Sequence, residues 1–204
     1  MLRGALLAAA LVAFSLPAAA ARTLLVFGDS LSAAYGFSVS QGWVSLLAQR
    51  AAKLDWRVVN ASVSGETTAG GLRRLPEDLK RHKPDVVLIE LGANDALRGQ
   101  PVAAIRANLE QMIRLARQAR VEPVLVGIMI PPNYGIDYAV EFRELFGQVA
   151  ARQRVKLVPF LLDGIVERPH YFQPDQLHPT AEAQPIILDN VWKTLEPLLR
   201  KRAA

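Results

Sequence analysis

Short runs of apolar residues alternate along this chain with longer stretches in which apolar residues recur every three or four positions. Five such runs, rich in Val, Leu and Ile, predict β-strands at residues 23–27, 56–59, 86–91, 123–128 and 156–160. Because most of these runs contain hardly any polar position, both faces of each strand are expected to be covered, as they are in a parallel sheet.

Stretches with a helical period separate the predicted strands, at residues 42–53, 69–82, 102–120 and 138–154, and a last one covers residues 180–200. In residues 102–120, the apolar side chains recur in steps of three and four, which leaves the Arg and Glu residues on the opposite side of the helix. The alternation of strand and helix predicts an α/β fold, a three-layer α/β/α sandwich with a five-stranded parallel sheet and right-handed crossovers.

The first residues form a pattern of their own. Residues 4–21 are eighteen uncharged residues that follow Arg3, and small residues follow Pro17. This pattern is typical of a cleavable secretory signal peptide at residues 1–21, with a single mature domain at residues 22–204 that is periplasmic or secreted. The alternative is an uncleaved membrane anchor, because eighteen residues are at the lower limit of what spans a bilayer.

Composition and charge exclude several chemistries. The chain has 204 residues, 51% of them hydrophobic and 21% charged, so it can build a packed core. The net charge of +5 comes from scattered basic residues, and we therefore expect no nucleic-acid partner. The absence of cysteine excludes a thiol nucleophile and a cysteine zinc site, and three histidines leave few candidates for a general base.

Polar residues concentrate where predicted strands end. In an open parallel sheet, ligands bind at the carboxyl ends of the strands. The segments that follow three of the strands, residues 28–31 (GDSL), 60–67 (NASVSGET) and 92–95 (GAND), are unusual for their Gly, Ser, Asn and Asp content. A fourth segment, residues 175–179 (DQLHP), stands directly before the last helix.

Ser30 and His178 are the candidates for nucleophile and base. Ser30 follows the first strand and is expected to precede a helix, where a serine can also be a simple N-cap. Asp175 lies three residues before His178, so its carboxylate can accept a hydrogen bond from Nδ1–H of the imidazole. Nε2 is then free to act as base for the serine. His82 and His170 are interpreted as structural. An isolated D-x-x-H pair can belong to a metal site, but no further metal-ligand motif accompanies it, and no metal is expected.

Gly65 and Asn94 are candidates for an oxyanion hole. A loop glycine amide and an Asn side-chain amide can donate to the same oxyanion, beside the amide of Ser30. The alternatives are a turn glycine at position 65 and a capping role for Asn94 and Asp95.

Together, in order and spacing, these segments resemble the four sequence blocks of the SGNH (GDSL) hydrolase family. The resemblance implies a flavodoxin-like SGNH hydrolase fold and no metal or organic cofactor. It also implies that Ser30 is the nucleophile, that His178 is the general base and then acid, and that Asp175 orients His178. The oxyanion would be held by the amides of Ser30 and Gly65 and by the side chain of Asn94. Ala93, and Gln176 with Leu177, depart from the common pattern without removing a catalytic group.

The resemblance further implies a small-molecule substrate, an acyl ester or thioester such as a fatty acyl thioester, a lysophospholipid or an aryl ester. Loops at residues 95–100 and 130–138 are expected to border an acyl groove. The expected substrate contacts are Asp29, Leu31, Ala96, Leu97, Pro132 and Tyr134. A monomer that makes transient contact with a lipid or membrane surface is expected. Two alternatives stay open, a short-chain carbohydrate (acetyl) esterase on the same fold and a non-catalytic lipid-binding protein.

Overall fold

A five-stranded parallel sheet lies at the centre of the structure, a computed structural model that describes residues 22–203. The strands are β1 (Arg22–Gly28), β2 (Trp56–Asn60), β3 (Val86–Glu90), β4 (Glu122–Val126) and β5 (Lys156–Val158). Their order across the sheet is β2-β1-β3-β4-β5, and every neighbouring pair is parallel. This is the flavodoxin-like order, with the reversal of winding between β1 and β3.

Helices cover both faces of the sheet. They are α1 (Trp43–Ala52), α2 (Thr68–His82), α3 (Ala93–Leu97), α4 (Val102–Gln118), α5 (Ile136–Gln153) and α6 (Gln184–Ala203). Helices α1 and α6 pack on one face, and α2, α4 and α5 pack on the other. The predicted three-layer α/β/α sandwich is therefore confirmed. Within residues 22–203, no helix is both long and apolar enough to cross a bilayer. The predicted signal peptide, residues 1–21, lies outside the described residues.

The central strands explain the apolar runs. Along β1, Leu24 and Val26 face the core under α1 and α6, whereas Leu25 and Phe27 face the core under α2, α4 and α5. All four side chains are fully buried. Successive side chains of a strand point to opposite faces, so a strand that is covered on both sides must be apolar at nearly every position.

The strands β4 and β5 end earlier than the sequence pattern predicts. A side chain at Gly127 would have its Cβ 2.1 Å from the carbonyl oxygen of Pro159, so the two chains approach each other closely just past the strands. Pro159 has no N–H to donate, which ends the ladder after Val158.

Two short helical segments also differ from the prediction. The helix expected directly after Ser30 is a set of turns, and the first regular helical element beyond it is the single 3-10 turn at Val39–Gln41. The sequence pattern predicts a loop at residues 95–100, whereas residues up to Leu97 belong to the five-residue helix α3.

Candidate active site

Ser30 lies in a tight turn directly after β1. The backbone amide of Ala33 donates to the carbonyl of Asp29 at 3.0 Å, and the amide of Leu31 donates to the Asp29 carboxylate at 3.0 Å. The side chain of Asn60, at the end of β2, donates to the carbonyl of Ser32 at 2.9 Å. The turn is thus held by its own backbone and by the neighbouring strand.

A buried carboxyl group supports this turn from below. One oxygen of Glu90, the last residue of β3, accepts hydrogen bonds from the amide of Asp29 at 3.3 Å and from the hydroxyl of Ser32 at 2.6 Å. Burial, and then the charge of Asp29, raise the pKa of Glu90 well above its usual range, which favours the neutral acid. A Cβ at Gly28 would lie 2.5 Å from that Glu90 oxygen, so glycine permits the close approach.

His178 connects Ser30 to Asp175. Its Nε2 lies 2.9 Å from Oγ of Ser30, and its Nδ1 lies 2.7 Å from Oδ2 of Asp175. The other oxygen of Asp175 accepts the backbone amides of Leu177 at 2.9 Å and His178 at 3.0 Å. The structure therefore brings these three predicted site residues together, and the carboxylate fixes the imidazole tautomer with hydrogen on Nδ1.

The same contacts control the ionisation of Asp175. Desolvation alone would raise its pKa, but the amide of His178, then the amide of Leu177 and the imidazole, outweigh it and lower the pKa of Asp175 to about 2. Asp175 is consequently an anion throughout the neutral range.

Gln173 holds the His178 loop against the Ser30 turn. Its backbone amide donates to the carbonyl of His178 at 2.8 Å, and its side-chain Nε2 donates to the carbonyls of Tyr35 at 2.8 Å and Pro179 at 3.0 Å. The ring of Tyr35 packs against the imidazole of His178, with centroids 4.4 Å apart. Gly36, which follows Tyr35, has a φ of +84°, and a Cβ at this position would clash with the side chain of Gln173. No sequence motif had singled out Gln173.

Asn94 is the second residue of α3, and its Nδ2 donates to the carboxylate of Asp29 at 3.0 Å. Helix α3 is fixed in turn by Asp95, whose carboxylate accepts the amide of Thr68 at 2.7 Å and its hydroxyl at 2.6 Å. That carboxylate also lies at the N-terminus of α2, where a negative charge is favoured. A helix too short to appear in the sequence pattern thus positions the predicted oxyanion donor.

Gly65 lies in the loop after β2. The loop is tied to the end of β1 by the amide of Val63, which donates to the carbonyl of Gly28 at 3.0 Å. Gly65 has a φ of +79°, and a Cβ at this position would meet no atom within 4 Å, so the backbone conformation, and not crowding, requires glycine.

Asp29, an expected substrate contact that lines the cavity beside Ser30, also bonds to groups of the protein itself. Its side chain is fully buried, and its two oxygens accept the Leu31 amide and the Asn94 side chain. Burial raises the pKa of Asp29 to about 6, although these two hydrogen bonds act in the opposite direction. Its contacts are those of a residue that positions Asn94.

A cavity of about 210 Å³, the serine cavity, opens beside Ser30. Asn94, His178 and apolar side chains line it, among them Leu31, Leu97 and Ile128. Three of the expected substrate contacts do not reach its wall. Ala96 is fully buried in the core, and Tyr134 is exposed in the 3-10 turn Pro132–Tyr134 that precedes α5. Pro132 lines a second, adjoining cavity instead.

Comparisons with known proteins show the family to which this chain is similar. The GDSL-like lipase/acylhydrolase family model matches residues 26–185. The chain is 52% identical over 183 residues to esterase TesA of Pseudomonas aeruginosa, a match that covers 89% of this chain and 91% of that protein. It is 42% identical over 193 residues to thioesterase 1/protease 1/lysophospholipase L1 of Escherichia coli K12, which covers 93% and 90% of the two chains.

Solved structures show the same similarity. A crystal structure of TesA superposes with a TM-score of 0.84 at 51% identity, and the match covers 87% of this chain and 99% of that one. The esterase EstA from Pseudoalteromonas, in a structure described as inhibited by monoethylphosphonate, superposes with a TM-score of 0.83 at 40% identity, covering 87% and 98%.

Proposed function

This chain belongs to the GDSL-like lipase/acylhydrolase family and hydrolyses ester bonds, and from that premise we propose that it does so through an acyl-serine intermediate on Ser30. The observation that carries the proposal is the hydrogen-bonded chain from Ser30 Oγ through the imidazole of His178 to Asp175, with distances of 2.9 and 2.7 Å. A serine is a weak nucleophile until a base takes its proton, and this chain supplies the base.

In the first half of the reaction, Ser30 Oγ attacks the carbonyl carbon while its proton moves to Nε2 of His178. Asp175 stabilises the imidazolium that forms, because its carboxylate accepts the hydrogen bond from Nδ1. The carbonyl oxygen becomes an oxyanion that accepts hydrogen bonds from the amides of Ser30 and Gly65 and from the free N–H of Asn94.

The tetrahedral intermediate collapses when Nε2 of His178 returns its proton to the leaving oxygen or sulfur. The bond from the carbonyl carbon to that atom breaks, and the acyl group stays on Ser30. Water then enters, gives a proton to Nε2 and attacks the acyl carbon. The second collapse releases the carboxylic acid and restores the Ser30 hydroxyl.

The wall of the serine cavity is apolar, which favours the binding of an apolar acyl group. Leu97 and Ile128 line it together with Ala93, and among residues 22–203 the only ionisable side chains in its wall are the buried Asp29 and the reacting His178. We therefore infer fatty acyl esters and thioesters as substrates, which agrees with the thioesterase and lysophospholipase named in a relative. A short-chain carbohydrate esterase would instead need polar groups for a sugar.

The test is hydrolysis of p-nitrophenyl esters of increasing acyl length by the wild type and Ser30→Ala. Activity that rises into medium or long chains and vanishes in Ser30→Ala supports the proposal. A preference for acetate would favour the carbohydrate esterase. Full activity of a folded Ser30→Ala would contradict the role of Ser30.

We also propose that the enzyme acts outside the cytoplasm, with transient contact to lipid surfaces. The support is the signal-like pattern of residues 4–21 and the exposed apolar residues that line the cavities at the site, such as Met129 and Val166. N-terminal sequencing of the protein from a periplasmic fraction tests the first part. A mature N-terminus near Arg22 is expected, and an intact N-terminus at Met1 in the cytoplasmic fraction would contradict it.

A further inference from the structure

The side chain of Arg74, in helix α2, contacts both ends of the loop that carries Gly65. Its Nη1 donates to the carbonyl of Ala61, the first residue after β2, at 2.8 Å. Its Nε donates to the carboxylate of Glu66, the residue that follows Gly65, at 3.1 Å. One guanidinium group therefore joins the start and the end of residues 61–66 to α2.

The part of the loop between these two contacts is a turn that presents the Gly65 amide. The amide of Glu66 donates to the carbonyl of Val63 at 3.1 Å and closes the turn. Gly65 is its third residue, and within residues 22–203 the Gly65 amide donates to no protein acceptor, so it is free for an oxyanion. The carbonyl of Gly65 accepts a longer hydrogen bond, 3.3 Å, from the exposed Arg98. The direction of the free amide thus depends on how the ends of the turn are held.

The surroundings of Arg74 fix its guanidinium group in place. Its Nη1 also donates to Asp78, one turn further along α2, at 2.6 Å, and the group lies 4.1 Å from the ring centroid of Phe27. The side chain of Arg74 is 27% exposed, and those of its carboxylate partners Glu66 and Asp78 are 14% and 10% exposed. An ion pair on the surface contributes little to a fixed geometry, whereas these planar, largely buried contacts hold one orientation.

We propose that Arg74 is a positioning residue of the oxyanion hole, which sets the direction of the Gly65 amide by holding both ends of its loop. This proposal rests on the proposed function, because it requires an oxyanion at the carbonyl that Ser30 attacks. Arg74 lines neither the serine cavity nor the cavity that adjoins it, so it acts through the loop and does not contact the substrate. An oxyanion donor is effective only when it points at the position that the oxyanion will occupy.

The test replaces Arg74 by Lys, which keeps a positive charge beside the two carboxylates. A single ammonium group cannot reproduce the contacts that a guanidinium makes from Nε and Nη1 at fixed angles. In Arg74→Lys, the Gly65 amide should therefore move slightly from its productive position. With p-nitrophenyl butanoate, kcat is expected to fall about 10- to 100-fold while KM changes little, because the loss is confined to the transition state.

A second measurement separates this role from a general loss of structure. In O-(4-nitrophenyl) thionobutanoate, sulfur replaces the carbonyl oxygen, and sulfur is a larger and weaker hydrogen-bond acceptor that a hole built for oxygen holds poorly. Ser30 and His178 act on both esters in the same way. The wild type should therefore prefer the oxygen ester, and in Arg74→Lys the ratio of the two kcat/KM values should fall about tenfold or more.

Two variants on α2 are the controls. Arg73→Lys makes the same substitution at the neighbouring arginine, which is exposed. Asp78→Asn keeps an oxygen that can accept from Arg74 and removes the charge of a partner that lies outside the loop. Both should keep the wild-type kcat and the wild-type ratio of oxygen to sulfur ester. Thermal melts of the three variants measure any loss of stability.

Three results would overturn the assignment. The first is a wild-type kcat in Arg74→Lys. The second is a lower kcat with an unchanged ester ratio, which would mean a purely structural role. The third is an equal fall of the ratio in Asp78→Asn, which would assign the effect to the charges on α2 and not to the loop. In each case, Ser30-dependent hydrolysis of p-nitrophenyl butanoate by the wild type would leave the proposed function standing. No Ser30-dependent turnover of any ester would overturn both.

Discussion

The buried carboxylate of Asp29 accepts a hydrogen bond from Nδ2 of Asn94 at 3.0 Å, in the turn that also carries Ser30. This bond fixes the orientation of the Asn94 amide, because only its Nδ2 can donate to the carboxylate. One N–H is used by Asp29, and the other is free for an oxyanion. Asp29 therefore couples the turn of the proposed nucleophile to a proposed oxyanion donor.

Replacing Asn94 by Ala should lower kcat by about 10²- to 10³-fold, because the oxyanion loses one oriented donor. The fold should persist, since α3 is held by Asp95 and Thr68. Steady-state kinetics with p-nitrophenyl butanoate and a thermal melt measure the two effects. Gln111→Ala is the control, because the Gln111 side chain lies on α4 and accepts hydrogen bonds from Arg114, outside the site. A kcat like that of the wild type would remove Asn94 from the oxyanion hole.

Asp29 should make stability depend on pH. Burial raises the pKa of Asp29 in the folded protein to about 6 from an ordinary value of 3.8. Its contribution to stability is therefore fully present below the ordinary value and is lost as the pH rises through about 6. Asn at this position does not titrate, so the stability of wild type relative to Asp29→Asn should fall by up to about 3 kcal/mol between about pH 4 and pH 7.

Urea unfolding of the wild type and Asp29→Asn at the two pH values measures this difference. Asp163→Asn serves as the control for replacing an exposed aspartate by asparagine, and its unfolding is measured at the same two pH values. A stability difference between wild type and Asp29→Asn that stays constant with pH would show that Asp29 ionises as an ordinary carboxyl.

Asp175→Asn should reduce kcat on the order of 10⁴-fold, because an amide can stabilise the wrong imidazole tautomer and cannot stabilise the imidazolium by charge. The low pKa of Asp175, about 2, keeps the group ionised in the wild type. Its contribution to stability is thus present above the ordinary value of 3.8 and is lost as the pH falls through about 2.

Kinetics at several pH values test the role of Asp175. In the wild type, Asp175 stays ionised between about pH 7 and pH 4, so its protonation should cause no loss of kcat/KM in this range. The kcat/KM of Asp175→Asn should be low at every pH. Recovery of Asp175→Asn to the wild-type rate at any of these values would contradict an orienting carboxylate.

Gln173→Glu should lower kcat with little change in KM. The substitution keeps the size of the side chain but removes the two N–H donors that hold Tyr35 and Pro179. A small displacement of His178 from Ser30 then costs roughly 10- to 100-fold in kcat. Gln118→Glu, on the exposed end of α4, is the matched control. If Gln173→Glu lowers the thermal stability but leaves kcat unchanged, Gln173 has a purely structural role.

The sequence predicted the sheet because its strands are covered on both faces, as in β1 and β3, and it indicated candidate site residues because polar residues follow those strands. It did not predict α3, since five residues are too few to show a helical period. The sequence pattern also did not identify Glu90, which lies in an otherwise apolar strand, or Gln173, which lies in a loop. Both act through residues distant in the sequence, Ser32 and Tyr35, and no local pattern reports such contacts.

The most direct test of the central claim is to identify the residue that a phosphonate ester modifies. The reagent is attacked like a carboxylic ester but leaves a stable adduct on the nucleophile. After incubation with a fluorophosphonate, intact mass and peptide mapping should show one adduct per chain on Ser30, with parallel loss of esterase activity. Ser30→Ala should show neither the adduct nor activity. An adduct on another residue, or inactivation without modification of Ser30, would contradict the acyl-serine mechanism.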